Sequence, residues 1–200
     1  MDHTAASTIE KLKKVSTATI ATCLFKKGLK KQFIQDVKPL KLGKPTMVGE
    51  AYTLRYIPAR EDLNTIEVFK DPKHLQRVSG IVTDGGFRDS AEIAEVNIPS
   101  YHNRPSAPTN LTLHQAIAIN EPIGCGDVAV FPGDILVGDD DGVMVIPAGI
   151  ADEVADECMQ MTLFEEFVME NVQNGRSIIG LYPLVDKKIA EEFEMWKAKK

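Results

Sequence analysis

Residues 117–146 constrain the fold more than any other part of the chain. Their apolar residues come in short runs separated by turn residues: Ile123, 128–130, 135–137 and 143–146. Short apolar runs bounded by Gly, Pro and Asp are typical of buried β-strands. The dipeptide Asp141-Gly142 lies between the last two runs and predicts a hairpin. The centre of the chain is therefore expected to be rich in β-structure.

Helical patterns occupy both ends of the chain. Within residues 1–30, Ser7 is the predicted N-cap of a helix over 8–15, and residues 16–19 begin a second helix that Gly28 closes. Apolar residues at three- and four-residue spacings predict an amphipathic helix over 150–172, and residues 186–200 are interpreted as a charged helix. Because neither a repeat nor a linker interrupts the sequence, we predict one α/β domain over 1–200, with a β-rich centre and helical termini.

Composition limits the classes of function. The net charge is −6, and the lysines form only short clusters such as 26–27 and 30–31, which we interpret as solvated helix faces. A protein without a basic stripe is a poor candidate for binding nucleic acid. Three widely separated cysteines suggest neither a zinc site nor a disulfide framework. The sequence has no signal-peptide pattern and no apolar run of about 18 residues, so we expect a cytoplasmic protein with no membrane partner.

Residues 80–90, GIVTDGGFRDS, are the strongest candidate for a functional site. An apolar run ends at a glycine turn, an Arg-Asp pair follows, and a helical pattern begins at Ser90. Ligands of α/β proteins commonly bind at the carboxyl ends of strands. The Arg88 guanidinium suits a carboxylate, and the Asp89 carboxylate suits Mg²⁺ or Mn²⁺. The alternative interpretation is a surface ion pair that caps a helix.

Other polar groups are interpreted as structural. The run Asp139-Asp140-Asp141 suggests a calcium loop, but the twelfth position from Asp139 is Ile150 rather than the glutamate of an EF-hand. These aspartates, and Asp134, are therefore predicted to form turns. The four histidines have no metal-ligand spacing, and we interpret His102 as an ordinary core or surface residue.

Four segments together resemble one family of proteins. They are VSGIVTDGGFRDSAEI, GCGDVAVFPGDILVGDDDGVMVIP, STATIATCLFKKGL and GEAYTLRY, and they are distributed within residues 15–182. The resemblance is to the class II pyruvate aldolase family, which contains 4-hydroxy-4-methyl-2-oxoglutarate aldolases and the regulator of ribonuclease activity A (RraA) proteins. It implies an αββα sandwich assembled as a homotrimer or homohexamer, with active sites between subunits.

The resemblance also implies roles for individual residues. Arg88 would bind the carboxylate and oxo group of a small 2-oxo acid substrate, in a turn where Gly85 and Gly86 contribute to substrate binding. Asp89 would bind the divalent metal, Mg²⁺ or Mn²⁺, largely through water. The metal and Arg88 would together stabilise an enolate.

The long helix supplies a further implied role. In the segment FEEFVMENVQNG, Glu165 or Glu166 would reach a neighbouring subunit's site and orient metal-bound water. The implied reaction cleaves a 4-hydroxy-2-oxo acid to pyruvate, with oxaloacetate decarboxylation as a side activity through the same enolate. The alternative is a non-catalytic regulator of ribonuclease activity that acts through protein contacts.

The sequence departs from the family pattern before the site. Family members carry a further strand, a glycine-rich loop and a helix where this chain has only the polar stretch 58–78. Glu67 lies twenty-one positions before Arg88, as an acidic family residue does, but its surroundings lack the strand and the loop, so we interpret the spacing as coincidence. Either about thirty residues are lost or the sequence omits a segment, and a true loss would expose core residues and remove half of the substrate cradle.

Overall fold

A computed structural model describes residues 4–65, 78–184 and 186–200. The helices are α1 (Ala6–Leu12), α2 (Thr17–Lys26), α3 (Ser90–Glu95), α4 (Asn110–Leu113), α5 (Ala151–Gln173) and α6 (Lys187–Lys197), with a 3₁₀ turn at Ala148–Ile150. The first six strands are β1 (Lys38–Pro39), β2 (Met47–Glu50), β3 (Leu54–Pro58), β4 (Ile81–Val82), β5 (Gly86–Phe87) and β6 (Ser100–His102). The remaining strands are β7 (Arg104–Pro105), β8 (His114–Ile119), β9 (Ile123–Cys125), β10 (Val128–Val130), β11 (Ile135–Gly138) and β12 (Val143–Ile146). The predicted mixed α/β class, with its β-rich centre and helical ends, is confirmed.

The core is built around a three-stranded antiparallel sheet in the order β12-β11-β2. Strands β11 and β12 form the predicted hairpin, in which Ile135 lies opposite Ile146 and Gly138 opposite Val143. Every residue of β12 is at most 2% exposed. Because successive side chains point to opposite faces of a sheet, a strand that is buried throughout needs a cover on both faces.

Helices cover one face of this sheet. Met144 and Ile146 point into a cluster to which α1, α2 and α5 contribute Leu12, Leu24 and Val154. Their complete burial is worth roughly 1.5–3 kcal/mol for each large aliphatic side chain. The apolar spacing that predicted these helices therefore describes the surface that packs on the sheet.

Small β-elements cover the other face. Val143 and Val145 point into a second cluster with residues of the β9–β10 hairpin and with Tyr101 of β6. The Tyr101 ring lies so close to Gly138 that a Cβ added there would come within 2.7 Å of it. Burial raises the pKa of Tyr101, as do the charges of Asp139 and Asp140. Glycine at 138 thus allows β6 to pack tightly against the central sheet.

The start of the second helix at residues 16–19 and its end at Gly28 are confirmed. Ser16 accepts a hydrogen bond from the Thr19 N–H at 3.1 Å, as an N-cap should, and Gly28 follows the helix with a φ of +84°. The prediction that Ser7 caps a helix over 8–15 is wrong, because α1 begins at Ala6, two residues earlier, with Ala5 at the N-cap position and no side-chain cap. The Ala5 carbonyl accepts the Thr8 N–H, so Ser7 already lies inside the helix.

The last helix is held by aromatic packing. Phe193 and Trp196 of α6 contact Phe164 and Phe167 of α5, with ring centroids 5.2–5.7 Å apart. Such pairs contribute about 0.5–1.5 kcal/mol beyond their burial. Among the helices of the described ranges, none is both long and apolar enough to cross a membrane.

Strands β3 and β8 form a two-stranded ribbon at the periphery. Its apolar side chains Tyr56, Ile57 and Ile117 are more than one-third exposed, as is Ile81 of β4. These residues flank the short 58–78 stretch, of which 66–77, including Glu67, lies outside the described residues. The expected loss of residues from this stretch stays a prediction.

Asp139 connects the sheet to the helical layer. Its carboxylate accepts hydrogen bonds from the N–H and the hydroxyl of Thr17, both at 2.8 Å, and from the Asp141 N–H at 3.0 Å. Asp134 is buried and accepts from the N–H groups of Phe131 and Ala148. The prediction that these aspartates hold turns is confirmed, and Asp139 also satisfies a free N–H at the start of α2.

We expect Asp139→Ala to lower the free energy of unfolding by about 1–3 kcal/mol, because it leaves the first N–H of α2 and the Thr17 hydroxyl without their acceptor. Urea denaturation would measure the loss. Asp141→Ala is the matched control, since its exposed side chain makes none of these bonds. Equal stability of the two variants would contradict the proposed connection.

Candidate functional site

The 80–90 segment forms the strand, turn and helix that the sequence predicts. Strand β4 runs parallel to β6, and after a turn β5 runs parallel to β7. Helix α3 then begins at Ser90. The two parallel pairings place the turn beside β6, the strand that carries Tyr101. The turn is thereby connected to the core.

Backbone hydrogen bonds fix the turn from both sides. The Gly85 N–H donates to the Thr83 hydroxyl at 3.1 Å, and the Gly85 carbonyl accepts the Asn103 N–H at 2.9 Å. The Phe87 carbonyl accepts the Ser106 N–H at 2.8 Å. The Asp84 carboxylate accepts the Gly126 N–H at 3.2 Å. The turn is therefore held by strand β7 and by the β9–β10 hairpin.

Gly86 has a clear packing role. A Cβ added there would lie 2.6 Å from the Ser106 Cβ and 2.8 Å from the Arg104 carbonyl oxygen, closer than real contacts allow. Glycine is thus required for β5 to approach β7. The expected substrate-binding role of Gly85 and Gly86 stays a prediction, and the Gly85 N–H is already used within the chain.

Arg88 and Asp89 lie side by side at the start of α3. The Arg88 Nε is 3.4 Å from an Asp89 carboxylate oxygen, and the two side chains are 53% and 65% exposed. Asp89 occupies the N-cap position but makes no side-chain hydrogen bond to the helix, and its backbone is left-handed at φ 54°, ψ 40°. The ion pair of the alternative interpretation is therefore present, whereas the cap is not.

The left-handed backbone of Asp89 carries information about function. A non-glycine residue in this region usually costs on the order of 1 kcal/mol or more and often marks a functional site. An aspartate at an N-cap normally stabilises the helix by accepting a hydrogen bond from a backbone N–H of its first turn. Asp89 does not, and its carboxylate instead lies beside Arg88 and is 65% exposed, so an external ligand can reach it.

The described residues contain no group of three or more His, Cys, Asp or Glu side chains that could hold a metal ion. Zinc and calcium sites in proteins usually use three or more protein ligands. Mg²⁺ often keeps several waters and binds through only one or two carboxylates. Asp89, exposed and uncommitted to the helix, fits that second mode.

Glu165 and Glu166 lie on α5 and are engaged elsewhere within the chain. Glu165 is half-buried and accepts the Thr19 hydroxyl at 2.8 Å. Glu166 is exposed and pairs with the Lys200 ammonium at 2.5 Å. Neither has a hydrogen bond or ion pair to Arg88 or Asp89 in the described chain, so their expected role depends on a neighbouring subunit and stays a prediction.

His102 is a core residue, in agreement with its interpretation as an ordinary core or surface histidine, but its contact with the site was not predicted. The residue is only 7% exposed, and its ring stacks on Phe87 with ring centroids 5.3 Å apart and an angle of 17°. Its Nδ1 is buried without a hydrogen-bond partner. The His102 ring therefore packs against Phe87, the residue just before Arg88. This contact depends on the pairing of β6 with β4 and β1, and no local sequence motif predicts it.

A family model described as RraA-like, Aldolase/RraA, matches residues 71–145. This segment includes the turn, Arg88 and Asp89. The region is RraA-like. A solved Streptomyces coelicolor protein, RraAS2, is described as an unusual member of the RNase ES inhibitor RraA protein family. It superposes with a TM-score of 0.75 at 25% identity, over 84% of this chain and 98% of its own. The RraA-like fold thus extends over most of the molecule.

Two curated relatives match at the sequence level. One, from Halalkalibacterium halodurans, bears the provisional name 4-hydroxy-4-methyl-2-oxoglutarate aldolase; it is 38% identical over 80 residues, which is 38% of this chain and 36% of the relative. Protein DlpA of Legionella pneumophila is 25% identical over 208 residues, which is 88% of this chain and 33% of DlpA. The matched regions therefore span about a third of each relative. The DlpA alignment exceeds the 200 residues of this chain, so the chain is shorter than DlpA over the matched region.

Gly86→Ala tests the close approach of β5 and β7. We expect it to lower the free energy of unfolding by about 1–3 kcal/mol, because the added methyl overpacks against Ser106 and the Arg104 carbonyl. Thermal unfolding would measure the loss. Gly124→Ala is the matched control, since an added Cβ there meets nothing within 4 Å. Similar unfolding temperatures for the two variants would contradict the packing role.

Proposed function

We propose that this RraA-like protein is a divalent-metal-dependent lyase that cleaves a 4-hydroxy-2-oxo acid, of the 4-hydroxy-4-methyl-2-oxoglutarate type, to pyruvate and a second oxo compound. One observation carries the proposal. Asp89 has a left-handed backbone and does not cap α3, and its exposed carboxylate lies beside the Arg88 guanidinium. The aldolase name of the Halalkalibacterium halodurans relative supports the same class.

Arg88 would bind and orient the substrate. Its planar guanidinium can donate two parallel hydrogen bonds to a carboxylate or to a carboxylate and the adjacent oxo group. The guanidinium is more than half exposed, and its Nε lies 3.4 Å from an Asp89 carboxylate oxygen. Its exposed donors would bind the 2-oxo acid.

Asp89 would hold Mg²⁺ or Mn²⁺ with most of its water shell intact, and the cation would supply positive charge beside the substrate oxo group. Breaking the carbon–carbon bond leaves an enolate of pyruvate, whose negative charge Arg88 would also stabilise. Loss of CO₂ from oxaloacetate leaves the same enolate. A site of this kind should therefore act on both substrates.

A proton must leave the 4-hydroxyl group and another must reach the enolate. Glu165 or Glu166 of a neighbouring subunit, in a homotrimer or homohexamer, would serve as the base that positions water for this transfer. Glu166 is exposed and needs only to release Lys200, whereas Glu165 would have to leave Thr19 and its half-buried position. The assembly is part of the proposal.

A second candidate function is inhibition of a ribonuclease through protein contacts. The similarity to Streptomyces coelicolor RraAS2, at 25% identity over nearly the whole of that chain, favours it. Binding of this kind needs neither a metal nor an uncommitted carboxylate at position 89. The two candidates therefore differ in their dependence on Asp89.

The direct test measures pyruvate release from 4-hydroxy-4-methyl-2-oxoglutarate and from oxaloacetate, with Mg²⁺ and then with excess EDTA. We expect turnover of both substrates that EDTA abolishes and added Mg²⁺ restores, because the enolate charge needs the cation. Intact-mass measurement and sedimentation would verify the chain and its assembly. A folded oligomer without turnover would refute the lyase and leave inhibition of an RNase E-type ribonuclease as the function to assay.

Asp89→Asn separates catalysis from folding. Asparagine tolerates the left-handed backbone but removes the charge, so we expect a loss of at least about 100-fold in kcat/KM, equivalent to about 2.7 kcal/mol, with little change in stability. Asp36→Asn is the matched control, because Asp36 is also exposed and left-handed, at φ 58°. Equal activity of both variants would rule out Asp89 as the metal residue.

A further inference from the structure

A groove lies outside the Arg88–Asp89 region, between α2 and the segment that follows it. Ala21 and Phe25 of α2 form one wall, and Leu29 and Phe33 form the other, with Met144 of β12 beneath. The groove has a volume of about 340 Å³, in the range of small binding sites. Its size suits one large apolar side chain and the backbone on either side of it.

Both walls are held by ordered backbone. The Leu29 N–H donates to the Leu24 carbonyl at 3.0 Å, so the chain turns back directly after α2. The Val145 N–H donates to the Gln32 carbonyl at 2.8 Å, and the Ile34 N–H donates to the Val143 carbonyl at 3.0 Å. The second wall therefore lies along the edge of β12, and backbone hydrogen bonds fix the positions of both walls.

Phe25 is an uncovered aromatic residue on the rim. It is 62% exposed, although its neighbours Cys23 and Leu24 are buried in the core. The Lys30 ammonium lies 5.8 Å from the centroid of its ring, within the range of a cation–π contact. The groove thus combines an apolar floor with a positive charge that is already positioned at its mouth.

The lysines near the groove differ in whether they form ion pairs. Lys27 pairs with Glu153 and Glu157 at 2.6 and 2.9 Å. Lys26, Lys30 and Lys31 are exposed and have no carboxylate partner in the described parts of the chain. Lys30 lines the groove, and Lys26 and Lys31 are adjacent in sequence to its lining residues Phe25, Lys30 and Gln32. An occupant that complements this surface is negatively charged and carries an apolar group.

We propose that the groove binds a short acidic peptide segment of another protein. One aromatic or long aliphatic side chain of the segment would occupy the groove against Phe25, and flanking carboxylates would pair with Lys30 and Lys31. The concave shape favours an inserted side chain over a flat membrane surface, which would contact the lysines but leave the floor empty. This site does not depend on the proposed lyase activity.

The test uses a fluorescein-labelled peptide, Glu-Asp-Phe-Asp-Glu, and follows anisotropy at low and physiological salt. We expect saturable binding that weakens as salt rises, since exposed charge pairs are screened. Replacing the central Phe of the peptide by Ala, or Phe25 by Ala in the protein, should each weaken binding at least fivefold. These results would show that the apolar contact and the charges act together.

The double variant Lys30→Glu, Lys31→Glu should weaken peptide binding at least tenfold. Lys14→Glu, Lys199→Glu makes the same charge change on exposed lysines away from the groove and should leave binding unchanged. Equal loss in both double variants would overturn the proposal, because only net charge would then matter. Tighter binding to phosphatidylserine vesicles than to the peptide would also overturn the proposal, because the occupant would then be a membrane. A changed oligomeric state of the Lys30→Glu, Lys31→Glu variant would overturn it as well, because the occupant would then be a second copy of this chain.

Discussion

The burial of β12 on both faces is the constraint on which the rest of the structure depends. Its four residues are at most 2% exposed, so neither face can be left to solvent. Helices α1, α2 and α5 supply one cover, and the β9–β10 hairpin with Tyr101 supplies the other. The acidic turn after β11 also binds the start of α2 through Asp139. Both ends of the chain are thereby fixed to the same hairpin.

The candidate site is connected to this core through β6. Tyr101 packs on Gly138, and the next residue, His102, stacks on Phe87 beside Arg88. A buried imidazole with an unpaired Nδ1 costs on the order of 1–3 kcal/mol relative to one that is hydrogen-bonded. Its ring nevertheless gives the turn a rigid support. The position of Arg88 is therefore set by packing under the turn, while its side chain remains in solvent.

Patterns within a few residues predicted the fold well. Apolar runs located β11 and β12, Ser16 and Gly28 bounded α2, and the apolar spacing of 150–172 located α5. Contacts between distant residues were not predictable, because no local pattern encodes them. Thus the carboxylate of Asp139 is expected from sequence to hold only its own turn, and the residues around Asp89 do not predict its left-handed backbone. Ser7 satisfies the residue preference for an N-cap, but α1 begins at Ala6 with Ala5 at the N-cap position.

The exposure of Arg88 and Asp89 has a chemical consequence. At an effective dielectric constant near that of water, a charge pair at 4 Å contributes only about 1 kcal/mol, whereas the same pair in a closed site contributes several times more. Stabilising an enolate therefore requires a cover that excludes water from the turn. The short 58–78 stretch leaves apolar residues beside it in solvent, and Glu165 and Glu166 are held by Thr19 and Lys200. A neighbouring subunit that buried those apolar residues and brought an acidic helix to the turn would meet both needs at once, so the proposed lyase activity would depend on the proposed assembly.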